Sequence, residues 1–319
     1  MLKKSYMSES VVRLHEYSAA ASVTLSTQPA VAFPSSLHNG SEKSAIIPLD
    51  VSKELGCTAT PATSPNLLAS FLRIQVDQPL ITFPNASSQV FYVIRGSGVS
   101  SGVSTGDINW VEGDCFTLPG TECSITHTAT SPSSLYWVHD QPLLHYLGVT
   151  ASSPPRFAPA LYTNVALKKR VEEIRHEPSA EGRNRMGVLL GHEATEDETK
   201  TLTPILWALL NTLPPKTAQP PHRHNSVALD LCVDAPASGV YTLMGPKLGK
   251  DGWVDPDGAI KMHWQSGAVF TTPPGWWHSH HNETGVCVCC TCIFFSPTCM
   301  PHTLTRNPIT IRQYTKYSR

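Results

Sequence analysis

The chain has 319 residues, 40% of them hydrophobic, with 24 Lys and Arg against 25 Asp and Glu and a formal net charge of −1. That length and apolar content suffice for one large core or two medium ones, which points to a soluble globular protein. The balanced charge offers no long-range attraction for nucleic acid and no apolar run reaches the roughly 18 residues of a membrane span, so neither is expected as a partner.

In chain order, residues 1–65 are rich in Ser, Ala, Thr and Pro and read as a partly irregular lead-in with room for a strand or a short helix. No secretory signal is evident there, and Glu9 and Glu16 interrupt the basic, Ser-rich pattern of a mitochondrial presequence set by Lys3, Lys4 and Arg13. Over 66–155, runs such as "FYVIRGSG", "INWVEGDCFTLPG" and "SLYWVHDQPLLHYLGV" alternate with turn residues and predict an all-β domain. Leu167, Val171 and Ile174 share a helical face in "NVALKKRVEEIRH", which predicts a helix inside a linker over 156–200. A second β domain is expected over 201–300 and a tail over 301–319.

Nine cysteines, an odd number bunched late in "GVCVCCTCIFF", do not form the spread framework of a small secreted domain. A reducing compartment, the cytoplasm, is the expected location, with mitochondria second. The Val, Ile and Phe around these cysteines predict a buried strand. Cys287 and Cys289 would then face one way and Cys290 and Cys292 the other, so the four thiols cannot converge on a metal.

The two β regions look like copies, because Trp110, Gly113 and Pro119 recur 154 positions later as Trp264, Gly267 and Pro273. The second copy carries an extra "MGPKLGKDGWVDPDG", read as a hairpin extension. It also carries the chemistry. In a strand, His222, His224, Ser226, Ala228 and Asp230 would share one face, and the stiff turn of "PPGWWHSHHNE" would bring His278 and His280 to the same interior. Three imidazoles from two strands can hold a divalent ion with positions left for water, substrate or dioxygen. Taken singly, each histidine is equally well explained as an ordinary hydrogen-bonded side chain.

The spacing Gly267, Pro273, Gly275, His278, Asn282, together with His222-x-His224, resembles the two motifs of the cupin family. Two copies make a bicupin, and the wording of "HRHNSVAL" and "TPPGWWHSHHN" is similar to the gentisate 1,2-dioxygenase group, over about 70–150 and 200–296. The resemblance implies two tandem jelly-roll barrels of the double-stranded β-helix type, with the metal motif in the second. It implies His222, His224 and His278 as metal ligands, a mononuclear centre of Fe(II), and dioxygen plus a small hydroxylated aromatic molecule as substrates. It further implies His280 as a proton shuttle near the substrate. From alternation, Trp276 shares the inward face with His278 and is open to walling a flat substrate or to packing alone, Asn282 is expected to brace the turn, and a homo-oligomer stays open. Three imidazoles also suit Zn, Mn, Ni and Cu, so a lyase, isomerase or hydrolase, or a binding protein without turnover, stays open.

Two positions depart from that pattern. The usual cupin glutamate position is Ala228, and Asp230 stands where related ring-cleaving enzymes place an arginine for the substrate carboxylate. A buried carboxylate there would repel an anionic substrate, so Asp230 is expected to bond His280, to accept from a hydroxylated or cationic substrate, or to approach the metal. In the first copy, aligned by sequence, Phe83 and Asn85 replace His222 and His224, Gln89 takes the glutamate position, Ser124 replaces His278, and His127 stands alone. That barrel is expected to be structural.

Overall fold

The computed structural model describes residues 11–18, 27–57, 59–120, 123–178 and 186–295, so the expected tail lies outside the described residues. Four antiparallel sheets form two barrels, each made of a six-stranded and a four-stranded sheet. The first large sheet runs Ala160–Tyr162, Cys115–Pro119, Ser88–Arg95, Ser133–His139, Leu68–Ile74, Ala45–Pro48. The second runs Ala32–Phe33, Val269–Thr272, Ala228–Asp234, Val288–Phe295, Leu206–Leu213, Met186–Leu190.

Two kinds of apolar cluster explain why several strands are buried at nearly every position instead of alternating. Inside the first barrel, Leu72, Phe91, Phe116 and Trp137 of the large sheet meet Ile108, Trp110 and Ile125 of the small one. The opposite face of the same large sheet, through Phe71, Val90, Tyr136 and Val138, packs on Leu210, Leu229, Leu231 and Ile293 of the second barrel's large sheet. The two large sheets are therefore covered on both faces, and Ser133–His139 is buried at all seven positions.

The repeated residues have structural work. Gly113 and Gly267 sit at φ +84 and +79, where only glycine avoids a clash between Cβ and backbone, and Trp110 and Trp264 fill equivalent interior positions. The lead-in is more ordered than its composition indicates. Its Ala32–Phe33 pairs with Val269–Thr272 in the second barrel, whereas its Ala45–Pro48 pairs with Leu68–Ile74 in the first. Between them His38 bonds the Gly267 carbonyl through Nε2 at 2.9 Å, and its own carbonyl accepts from Ser134 Oγ at 3.1 Å.

The linker helix spans Asn164–Arg175, is capped by Thr163 Oγ1 accepting from the Ala166 amide, and buries Leu167 and Val171. The cysteine-rich stretch is the strand Val288–Phe295. Cys290 packs inside the barrel, Cys289 faces the inter-barrel cluster, and Cys287 lies just ahead of the strand beside Arg175. The extra segment extends the Val240–Gly245 and Ile260–His263 hairpin, with a Leu248 to Val254 bridge. No helix among the described residues is long and apolar enough to cross a membrane.

Candidate metal centre

The first departure from the sequence reading is local. The strand expected to carry both histidines begins only at Ala228, and His222 and His224 stand on irregular backbone before it. Pro220 and Pro221 lack amide hydrogens, so the ladder cannot run through them. His222 still reaches the site through an isolated two-bond bridge to His278, with N···O distances of 3.0 and 2.9 Å. His224 is tied by its carbonyl, which accepts from the Gly275 amide at 2.8 Å. Gly275 makes that contact at φ +77, a left-handed turn conformation.

Strand Trp277–Asn282 then sorts the histidine-rich stretch by alternation. His278 and His280 are buried, and Trp276 packs against the interior cluster. Trp277 and His281 go outward, the first beneath the Arg223 guanidinium at 4.7 Å and the second stacked on Tyr241 at 4.7 Å. Ligand atoms of His222, His278 and His280 lie within 4.8 Å of one another. The rings of His222 and His278 are 4.0 Å apart, those of His224 and His278 4.9 Å, and those of His222 and His224 6.4 Å. The segment before Ala228 and the strand Trp277–Asn282 thus bring four imidazoles together, with His222 and His224 the widest pair.

Hydrogen bonds orient these rings. His224 Nδ1 faces the Ser226 carbonyl at 2.6 Å and His278 Nδ1 faces the Trp276 carbonyl at 3.2 Å. A carbonyl only accepts, so Nδ1 carries the proton in both and the lone pair is on Nε2. His280 Nδ1 instead meets the hydroxyl of Thr242 at 2.7 Å. Asp230 is buried; it accepts from Thr272 Oγ1 at 3.1 Å and from the Cys292 thiol. Asn282 braces the following turn, donating to the carbonyls of Leu213, Pro214 and Val286 and accepting from Thr284. Thr242, Thr272 and Cys292 had no signal in the sequence, because a hydroxyl or thiol on a strand has no distinctive spacing.

No protein-family model and no curated protein matches the chain. Solved structures do. Salicylate 1,2-dioxygenase from Pseudaminobacter salicylatoxidans superposes with a TM-score of 0.61 at 14% identity, over 84% of each chain. Its adduct with gentisate gives 0.60 at 13% identity, over 86% of this chain and 82% of that one. Oxalate decarboxylase from Bacillus subtilis, studied for its Mn(II) centres, gives 0.53 at 16% identity, over 85% and 78%. The chain has the bicupin fold.

The first barrel of this bicupin corrects the alignment of the copies by one residue. Trp110 donates to Ser100 and Ser100 pairs with His127 Nδ1, just as Trp264 donates to Thr242 and Thr242 pairs with His280 Nδ1. His127 is therefore the counterpart of His280. Two residues earlier, Ile125, not Ser124, stands at the place of His278, and its partner across the ladder, Thr82, not Phe83, stands at the place of His222. Phe83 is 62% exposed, Asn85 is a loop residue bonded to the backbone at Val149 and Ala151, and Gln89 bonds Trp137. Ile125, Thr82 and the stacked Phe91 and Phe116 occupy its interior, and among the described residues no cluster of three possible metal ligands falls in this barrel.

Proposed function

We propose that this bicupin is a divalent-metal enzyme whose second barrel holds the ion through His222, His224 and His278, and that it is a ring-cleaving dioxygenase using Fe(II). The observation that carries this reading is the convergence of their imidazoles inside the second barrel, with the Nδ1 atoms of His224 and His278 turned to carbonyls so that Nε2 is the nitrogen that would coordinate. The fit is geometric. A metal–nitrogen bond of about 2 Å puts each ring centre about 3 Å from the ion and two such rings roughly 4–6 Å apart. The observed 4.0 and 4.9 Å fall in that range, and the 6.4 Å between His222 and His224 closes with a small swing of His224, which lies on irregular backbone. Three neutral imidazoles leave such an ion its double positive charge and open positions, which supply Lewis acidity and, for Fe(II), room for an oxygen-chelating substrate beside dioxygen.

The chain's own residues then narrow the substrate. Trp276 offers a flat apolar wall next to His278. Asp230, held by Thr272 and Cys292, stands where related ring-cleaving enzymes place an arginine, so this position offers no cation to pair an incoming carboxylate. A neutral, hydroxylated aromatic such as a catechol or hydroquinone fits this site better than a hydroxybenzoate. Solved structures of salicylate 1,2-dioxygenase share the fold and support an oxygenase; oxalate decarboxylase, matched over a similar share of this chain, supports a second reading, a Mn(II) decarboxylase.

The test is elemental analysis of protein purified without added metal, followed by oxygen-electrode and carbon dioxide assays on catechols, hydroquinones, hydroxybenzoates and oxalate. About one Fe per chain and oxygen uptake with a neutral phenol is the expected result. Carbon dioxide release without oxygen uptake establishes the second reading, and a protein that neither contains nor takes up a divalent ion refutes both. Asp230→Arg is expected to shift preference toward hydroxybenzoates, and an unchanged substrate profile removes Asp230 from the substrate site.

A further inference from the structure

We propose that Thr242 and Trp264 are positioning residues that fix the proton of neutral His280 on Nε2, so that His280 faces the three-histidine centre as a hydrogen-bond donor and not as a ligand. This rests on the metal-enzyme reading and adds the device that separates ligand from donor among four clustered imidazoles.

The polarity of the chain of bonds follows from its far end. An indole nitrogen can only donate, and Trp264 Nε1 donates to Thr242 Oγ1 at 2.9 Å. Thr242 is fully buried, and the other partner of its hydroxyl is His280 Nδ1 at 2.7 Å. If Nδ1 carried the proton, Oγ1 would accept twice and its own hydrogen would be buried without an acceptor among the described residues. The hydroxyl therefore donates to Nδ1, and the ring proton of neutral His280 stays on Nε2. A protonated Nε2 has no lone pair for a metal.

The first barrel repeats the device where no metal competes for the ring. Trp110 Nε1 donates to Ser100 Oγ at 2.9 Å, and Ser100 Oγ meets His127 Nδ1 at 2.7 Å. The Nε2–H of His127 then has a hydroxyl to donate to, Thr82 Oγ1 at 2.9 Å, at the place His222 occupies in the second barrel. The same ring in the second barrel aims its Nε2–H toward the centre. Proximity alone groups His280 with His222 and His278, whereas proton placement puts His224 in the set and takes His280 out.

The test reads proton position directly. In chelator-treated, 15N-histidine-labelled protein, long-range proton–nitrogen NMR reports the tautomer of each ring, with His280 assigned by the signal lost in His280→Gln. The expected result is Nε2–H for His280 and His127 and Nδ1–H for His224 and His278. Thr242→Val is expected to convert His280 to a mixture of tautomers, and Thr242→Ser to restore Nε2–H; should the valine variant fail to fold, the parent and serine spectra decide. In parallel, Mn(II) titration followed by electron paramagnetic resonance separates ligand from donor. A partner of a ligating histidine matters about 10- to 100-fold for metal affinity, so Thr242→Ser and His280→Gln are expected to leave Mn(II) affinity at the parent level while His224→Ala lowers it by at least that factor. Nδ1–H on His280, or a loss in His280→Gln equal to that in His224→Ala, overturns the proposal. Nε2–H on His280 in a protein that neither contains nor takes up any divalent ion, Mn(II) and Fe(II) included, upholds the lock and refutes the metal-enzyme reading instead.

Discussion

His127 and His139 are both buried in or beside the first barrel, and burial pushes their pKa values down to about 3. In the unfolded chain they titrate near 6.5, so below that pH the unfolded state binds protons that the native state refuses. The contribution of these two histidines is therefore expected to be constant above about pH 7, and stability to fall as the pH drops from about 6.5 toward 3, by up to ~1.4 kcal/mol per pH unit per histidine. Denaturant midpoints measured between pH 7 and pH 4.5 check this. His127→Gln is expected to flatten the slope, and an unchanged slope would show that His127 is not the group responsible. Asn282→Ala removes the donor to three carbonyls and is expected to cost about 2–3 kcal/mol by the same measurement. What could be read from single residues in the sequence followed spacing: the glycines, prolines and histidines of the second copy are placed by tight turns, and tight turns have fixed lengths. Thr242 was invisible because its partners lie 22 and 38 positions away, a separation that only strand pairing creates.

At the level of elements, the turn before strand Trp277–Asn282 holds the centre together, since the Gly275 amide bonds the His224 carbonyl and the next residues set His278 opposite His222. A Cβ at Gly275 would meet nothing within 4 Å, so Gly275→Ala costs only its left-handed backbone, about 1 kcal/mol of stability. Metal affinity is expected to fall further than stability does, roughly tenfold or more, because a ligand that moves by 1 Å no longer fits a 2 Å bond. Competition titration against a metal chelator checks this; a loss no larger than the stability change would mean that the turn does not position the histidines. Periodicity predicted the helix around Leu167 and Val171 and the strand over the clustered cysteines, because each buries a stripe or a face. It failed for the His222 segment, where a period of two was assumed across two prolines, and for the first copy, where a slip of one residue exchanged interior Thr82 for exposed Phe83.

Across the whole molecule, the largest shared core lies between the barrels and not within either one. Phe71 and Tyr136 on one side meet Leu229 and Leu231 on the other, all fully buried. Neither large sheet can expose that face alone, so a single calorimetric unfolding transition is expected. Leu231→Ala should lower it as one unit by about 2–5 kcal/mol, and two separable transitions would contradict the shared core. The repeat made the pair of barrels legible in the sequence, but the seam was not, since its residues are ordinary Leu, Phe and Tyr whose second buried face has no signature of its own.

The segment Ala32–Phe33 completes a sheet whose neighbouring strand lies some 240 residues further on, where the Val31 amide meets Thr271 Oγ1. A ribosome therefore makes one edge of the later barrel well before its partner, with the whole earlier barrel in between. Severing the chain at the linker would leave that edge on the wrong fragment, so the two halves are expected to regain their native form only when mixed, and the later half by itself would be left with an open, association-prone border.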